Sequence, residues 1–214
     1  VVLEADADVI GHINGGHTAL PLKQIECLCE QCSRAIEVVH NGNEMAGLHA
    51  VKIAKQLGQL DRVILGTDSP AGSGVQPLGI LRVIAMLSSF GDLPAEQVFC
   101  FATGNTARMR DLDCGLIEAG RAADFVFLDR AQHSSGADLL SSVRAGDLVN
   151  QACEGLPSAV KEGEAIGIDN VAHPVTSRLS LARATRSLMN VFGMKWNDSS
   201  GTRNAHFAPF RWTA

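Results

Sequence analysis

The chain has 214 residues, 46% of them hydrophobic, with a formal net charge of -5 and six cysteines. That apolar content is enough for a real core, in one domain or one plus a fragment, and excludes a disordered or fibrous chain. The acidic balance, with no basic run or interleaved aromatic platform, leaves no electrostatic footprint for nucleic acid.

The first six residues, Val1 to Asp6, carry no basic n-region, and no stretch reaches the roughly 18 apolar residues that span a bilayer. No membrane partner is expected, and the expected location is the cytoplasm. Ala7 to Ile10 reads as a short apolar strand that ends in the polar, glycine-rich turn Gly11-His12-Ile13-Asn14-Gly15-Gly16-His17. Leu20 to Ser33 reads as a helix, with Thr18 and Pro21 at its start. The cysteines are spread through a chain too large to need stapling, so reduced thiols are expected. On that helix Cys29 and Cys32 share a face and Cys27 points elsewhere, and no fourth ligand pair with zinc spacing follows. Buried small hydrophobes are the simpler account of them.

Ala35 to His40 is a second strand, closed by the turn Asn41-Gly42-Asn43. From Glu44 to Leu57 the residues Met45, Leu48, Val51, Ile53, Ala54 and Leu57 recur at helical spacing, and Gly58 ends the run as a C-cap. The third strand, Arg62 to Gly66, runs into Thr67-Asp68-Ser69-Pro70, and a glycine-rich loop leads to a helix from Leu78 to Ser89. Gly72-x-Gly74-x-x-x-x-Gly79 fails both the dinucleotide and the phosphate-loop patterns, and it follows a carboxylate that repels phosphate. Leu93 onward reads as a helix through Phe101 toward Ala107. Cys114 to Asp129 reads as a hairpin-like piece: short strand, glycine turn, longer apolar strand. Gln151 to Ala172 carries no strand alternation, and Arg178 to Phe192 reads as a basic helix. His173 and His206 are expected at the surface.

Strand and helix alternating at this spacing is the signature of parallel βα units. Three strands in succession end in polar clusters: His12 with His17, His40 with Asn43, and Asp68. Parallel units put all three ends on one side of the sheet, where α/β proteins build sites. Asp68 is also an ordinary turn-capping residue, and a strand-end histidine is commonly a hydrogen-bonded structural one. Their recurrence favours ligation, because neutral imidazole and carboxylate are what a borderline divalent metal takes.

Strand-Gly66-Thr67-Asp68-Ser69-Pro70, then Ala102-Thr103-Gly104-Asn105-Thr106-Ala107, then Gly115-Leu116-Ile117-Glu118-Ala119-Gly120-Arg121-Ala122-Ala123-Asp124-Phe125-Val126 together resemble the C-terminal half of the metal-dependent amidohydrolase superfamily. His12-Ile13-Asn14-Gly15-Gly16 and the run from Asp68 to Arg82 are most similar to the branch that hydrolyses enamides. The resemblance covers Val1 to Leu148. It implies an α/β fold with the last three strands of a distorted TIM barrel over residues 1–110 and a return to a small β-sandwich over 111–148; the tail, 149–214, departs from the pattern and its structure is not implied. It further implies His12 as a metal ligand, and Asp68 as both a ligand and the group that takes the proton from the attacking water. His40 matches no ligand position and is expected to line the pocket or be structural, and Asp124 to be a turn residue. The superfamily's other ligands, on its first and fifth strands and a bridging position, are expected outside these 214 residues.

The implied cofactor is a divalent metal, zinc and/or iron, binuclear in the complete protein. The implied reaction is hydrolysis of a C–N bond in a cyclic amide or enamide, with a small molecule as substrate. The other reading is a non-catalytic fragment or binding module that lacks half of the metal site. Three strands leave two open sheet edges, so a homo-oligomer is the expected state.

Overall fold

A computed structural model of the chain describes residues 3–16, 19–70, 74, 76, 78–122, 124–126, 128–131, 133–149, 159–161 and 164–166. They belong to two compact units, Val1–Leu116 with Asp129–Asn150, and Ile117–Leu128 with Gln151–Ala214.

In the first unit, β1 (Val9–Ile10), β2 (Ala35–Val39) and β3 (Val63–Gly66) form a parallel sheet in the order β1-β2-β3, crossed over by helices α1 (Leu22–Gln31) and α2 (Glu44–Gln56). Val9 pairs with Ala35, and Ile36 to Val39 pair with Val63 to Gly66. Val63, Ile64 and Leu65 are buried, as a continuous apolar run in a parallel sheet requires. Helix α1 buries Ile25, Leu28 and Cys29, which stand at i, i+3 and i+4. Helix α2 is capped by Asn43, whose Oδ1 accepts from the Ala46 N–H at 2.9 Å, and it ends before Gly58, whose φ is +67°.

The buried face of α2 is Ala46, Gly47, Ala50, Val51 and Ala54. It differs from the apolar repeat read in the sequence, since Met45 is 69% exposed. The small residues are what let α2 approach: a methyl on Gly47 would already lie 3.0 Å from Val38 Cγ1. A face chosen by hydrophobicity alone favours methionine, whereas close packing on β2 favours its small neighbours.

After β3, α3 (Gly79–Phe90), α4 (Ala95–Ala102), α5 (Gly104–Met109) and α6 (Leu139–Arg144) form a helical group, with α4 and α5 against β3 and α6 against α3 and α4. The Asn105 carboxamide donates to the Leu60 and Val63 carbonyls at 3.0 and 2.9 Å, which ties α5 to the start of β3. Arg62 is buried at that same end, donating to the Arg34 and Cys29 carbonyls and to Gln59 Oε1.

In the second unit, β4 (Phe125–Val126), β5 (Ala159–Lys161) and β6 (Glu164–Ile166) form an antiparallel sheet in the order β4-β5-β6. The hairpin expected within Cys114–Asp129 is therefore corrected. Phe125 faces Val160 rather than a residue of that stretch, and described residues 114–122 hold no strand. Gly115 is seated against α5, where an added methyl would be 2.9 Å from the Thr103 carbonyl, so its segment is not free to pair. The expectation of no strands after Gln151 is corrected too: β5 and β6 are three residues each, shorter than the 4–8 residues over which alternation is legible. The helix expected at Arg178 to Phe192, His17, His173 and His206 lie outside the described residues.

Candidate active site

Each outer strand of the parallel sheet delivers one side chain two residues past its end. After β1 come Gly11 and His12, and after β3 come Thr67 and Asp68. His12 and Asp68 both take the left-handed conformation, with φ of +50° and +52°. That conformation costs an L-residue roughly 1–2 kcal/mol. It turns both side chains inward over β2, so that His12 Nε2 lies 3.7 Å from Asp68 Oδ1. The Ser69–Pro70 peptide that follows is cis.

Backbone and side-chain hydrogen bonds fix both loops to the middle strand. The Ile13 N–H donates to the Glu37 carbonyl at 3.0 Å, and the Gly15 N–H to the His12 carbonyl at 2.8 Å. Asn14, fully buried, accepts from the Val39 N–H at 2.8 Å and donates to the Val39 carbonyl at 2.9 Å. On the other side the His40 and Asn41 N–H groups donate to the Gly66 and Thr67 carbonyls, and Asn41 Nδ2 donates to the Asp68 carbonyl at 2.8 Å.

Sequence reasoning missed Glu37. Its carboxylate is only 13% exposed and stands on the face of β2 flanked by glycines. A methyl on Gly66 would be 3.0 Å from Oε1, and one on Gly11 would be 3.6 Å from Oε2. Oε2 lies 3.8 Å from His12 Nε2, and Oε1 lies 3.2 Å from Arg110 Nη2, a partner from the end of α5. The signal was available: one carboxylate inside an otherwise apolar, buried parallel strand is rarely tolerated without a charged partner. Two carboxylates thus face one imidazole nitrogen from different strands.

His40 does not join this group. It lines a separate cleft of about 380 Å³ with Asn14, Arg82, Met86 and Phe90, and its ring packs over Gly79 at the start of α3. Among the cysteines, Cys29 is buried while Cys27 and Cys32 are half-buried. Burial pushes the Cys29 thiol up to about 11 against the opposing pull of the Arg62 guanidinium. Among the described residues no group of three or more histidines, cysteines, aspartates or glutamates is disposed to hold a metal ion. His12 and Asp68 are of the right donor type and near enough to share a cation, but they supply two ligands where a hydrolytic site uses about three.

The Amidohydrolase family model matches residues 22–164. The chain is 34% identical over 165 residues to enamidase from Eubacterium barkeri, an alignment covering 77% of this chain and 42% of that protein. It superposes on the crystal structure of an enamidase described as a new member of the amidohydrolase superfamily, with a TM-score of 0.74 and 33% identity, over 80% of this chain and 43% of that one. The chain therefore spans less than half the length of the relatives it matches.

Proposed function

The chain belongs to the amidohydrolase family, and from that premise we propose that it carries the C-terminal part of a hydrolase that cleaves a C–N bond of a cyclic amide or enamide. In this reading β1, β2 and β3 are the last three strands of a barrel, and β4 to β6 are a piece of the flanking β-sandwich. The barrel part is then 1–110, and the sandwich piece draws on both 111–148 and 149–214, because β4 pairs with β5 across that boundary. The observation that carries it is the convergence of His12 and Asp68 at the carboxyl edge of a parallel sheet, 3.7 Å apart. The likeness to enamidase supports the substrate class.

Amidohydrolases generally use divalent metals. His12 Nε2 and Asp68 Oδ1 would hold zinc or iron, one or two ions, together with ligands beyond the described residues. Such a cation supplies Lewis acidity, enough to bring the pKa of a water molecule to about 7. Asp68 presents Oδ1 toward His12 and keeps its second oxygen to take a proton from the attacking water and pass it to the leaving nitrogen. Glu37, paired through Oε1 with Arg110, holds Oε2 3.8 Å from His12 Nε2 and helps to orient the imidazole. The substrate is a small molecule, and a homo-oligomer is the working assembly. No helix among the described residues is long and apolar enough to cross a membrane.

The test is a chimera in which the matching segment of Eubacterium barkeri enamidase is replaced by this chain. Turnover of cyclic enamides is expected, and Asp68→Asn is expected to lower it about 10²–10⁴-fold with metal retained. Undiminished turnover in Asp68→Asn would exclude the proton role. The donor count of two also favours a second reading, a non-catalytic binding module. Stoichiometric metal and turnover in the chimera argue against that module, and a folded chimera that binds no metal argues for it.

A further inference from the structure

We propose that Asn14 and Asn41 are positioning residues that set the separation of His12 and Asp68 by clamping both loops to β2. The inference rests on the reading of His12 and Asp68 as a working pair. Strand β1 contributes only two residues to the ladder, and past the left-handed turn at His12 its backbone returns to β2 through the Ile13 N–H, which donates to the Glu37 carbonyl. The carboxamide of Asn14 carries the pairing one step further, to Val39. It offers Val39 one acceptor and one donor, at 2.8 and 2.9 Å, in place of the two peptides that a longer parallel strand would supply. The loop holding His12 is thereby registered against a defined residue of β2. Room for this side chain is made by glycine: a methyl on Gly42 would run into the Asn14 carboxamide, and one on Gly47 would lie 3.3 Å from Asn14 Nδ2.

Asn41 does the corresponding work on the other side. Its N–H continues the ladder to Thr67, and its Nδ2 donates to the carbonyl of Asp68 itself at 2.8 Å, fixing the residue just where its φ is +52°. Val39 and Asn41 are neighbours but one in the chain. Both site residues are therefore referenced to a single short segment, the end of β2 and the two residues after it, and their separation follows from that segment.

The test reads the contact itself. The 214-residue chain is labelled with ring-¹⁵N histidine and studied by magic-angle-spinning NMR, which tolerates oligomers. Asp68→Asn is expected to shift the His12 ring resonances in the otherwise unaltered chain. In an Asn41→Ala background, and separately in Asn14→Ser, the same Asp68→Asn change is expected to leave His12 unmoved, while the His49 ring stays at its wild-type position as the control for folding. If Asn14→Ser does not fold, Asn41→Ala decides, since its side chain is not enclosed in the core. An undiminished His12 response in Asn41→Ala would overturn the positioning role and leave the proposed function standing. Absence of any response in the unaltered chain would overturn the His12–Asp68 pair and the clamp with it.

Discussion

Two buried residues show how chemistry at single positions sets what the fold tolerates. Asn14 satisfies both polar groups of Val39, and both residues are buried, so Asn14→Ala would strand a buried N–H and a buried carbonyl and leave a gap. A loss of about 2–4 kcal/mol is expected, read from the urea midpoint. Cys29 acts through its proton. An unfolded cysteine releases its proton near pH 8.5, whereas burial holds the folded one to about 11. Below the lower value both states are protonated, and this group contributes no pH dependence. Between the two values the unfolded chain gives up a proton that the folded chain keeps, so stability falls as pH rises. Urea midpoints measured from pH 8.5 to 10.5 should fall more steeply in the wild type than in Cys29→Ala, and equal slopes would show that the thiol is not buried as described.

Among the elements, α2 separates hydrophobicity from packing. Met45 fits the apolar repeat of its helix, yet it faces solvent, while small residues and Val51 form the buried face and Gly47 closes on Val38 of β2. Met45→Lys is therefore expected to change stability by less than about 0.5 kcal/mol, checked by thermal melting. A loss of several kcal/mol would mean that the helix is rotated from the face described. The strands tell the converse story. Strand β2 runs apolar on both sides except at Glu37, and that exception lies beneath the candidate site. A strand this short offers one carboxylate position facing both neighbouring strand ends, and the glycines at 11 and 66 leave it the space.

For the molecule as a whole, edges and ligand count decide the behaviour of the isolated chain. The parallel sheet has β1 and β3 as its edges among the described residues, and unpaired parallel edges are templates for association. Two donors do not complete a hydrolytic centre. Expressed as these 214 residues, the protein is expected to be oligomeric and to show no turnover of cyclic amides or enamides with zinc, iron or manganese. Size-exclusion chromatography and the assay test both halves. A monomer with metal-dependent turnover would place the site elsewhere in the chain.

Local chemistry alone was enough for the parallel βα order, the strand ends that carry His12 and Asp68, and the family resemblance. Apolar runs, glycines and caps act over a few residues, and parallel connectivity then fixes which ends share an edge. Tertiary structure decided the rest. The partner of β4 lies far along the chain, and three-residue strands have too few positions for alternation to announce them. Glu37 gains its meaning only when β1 and β3 lie on either side of it, and Arg110 reaches it only once α5 is tied to the start of β3. The 3.7 Å between His12 and Asp68 likewise depends on two asparagine side chains finding the backbone of another element. Such contacts join residues distant in sequence, and no periodicity or local propensity records them.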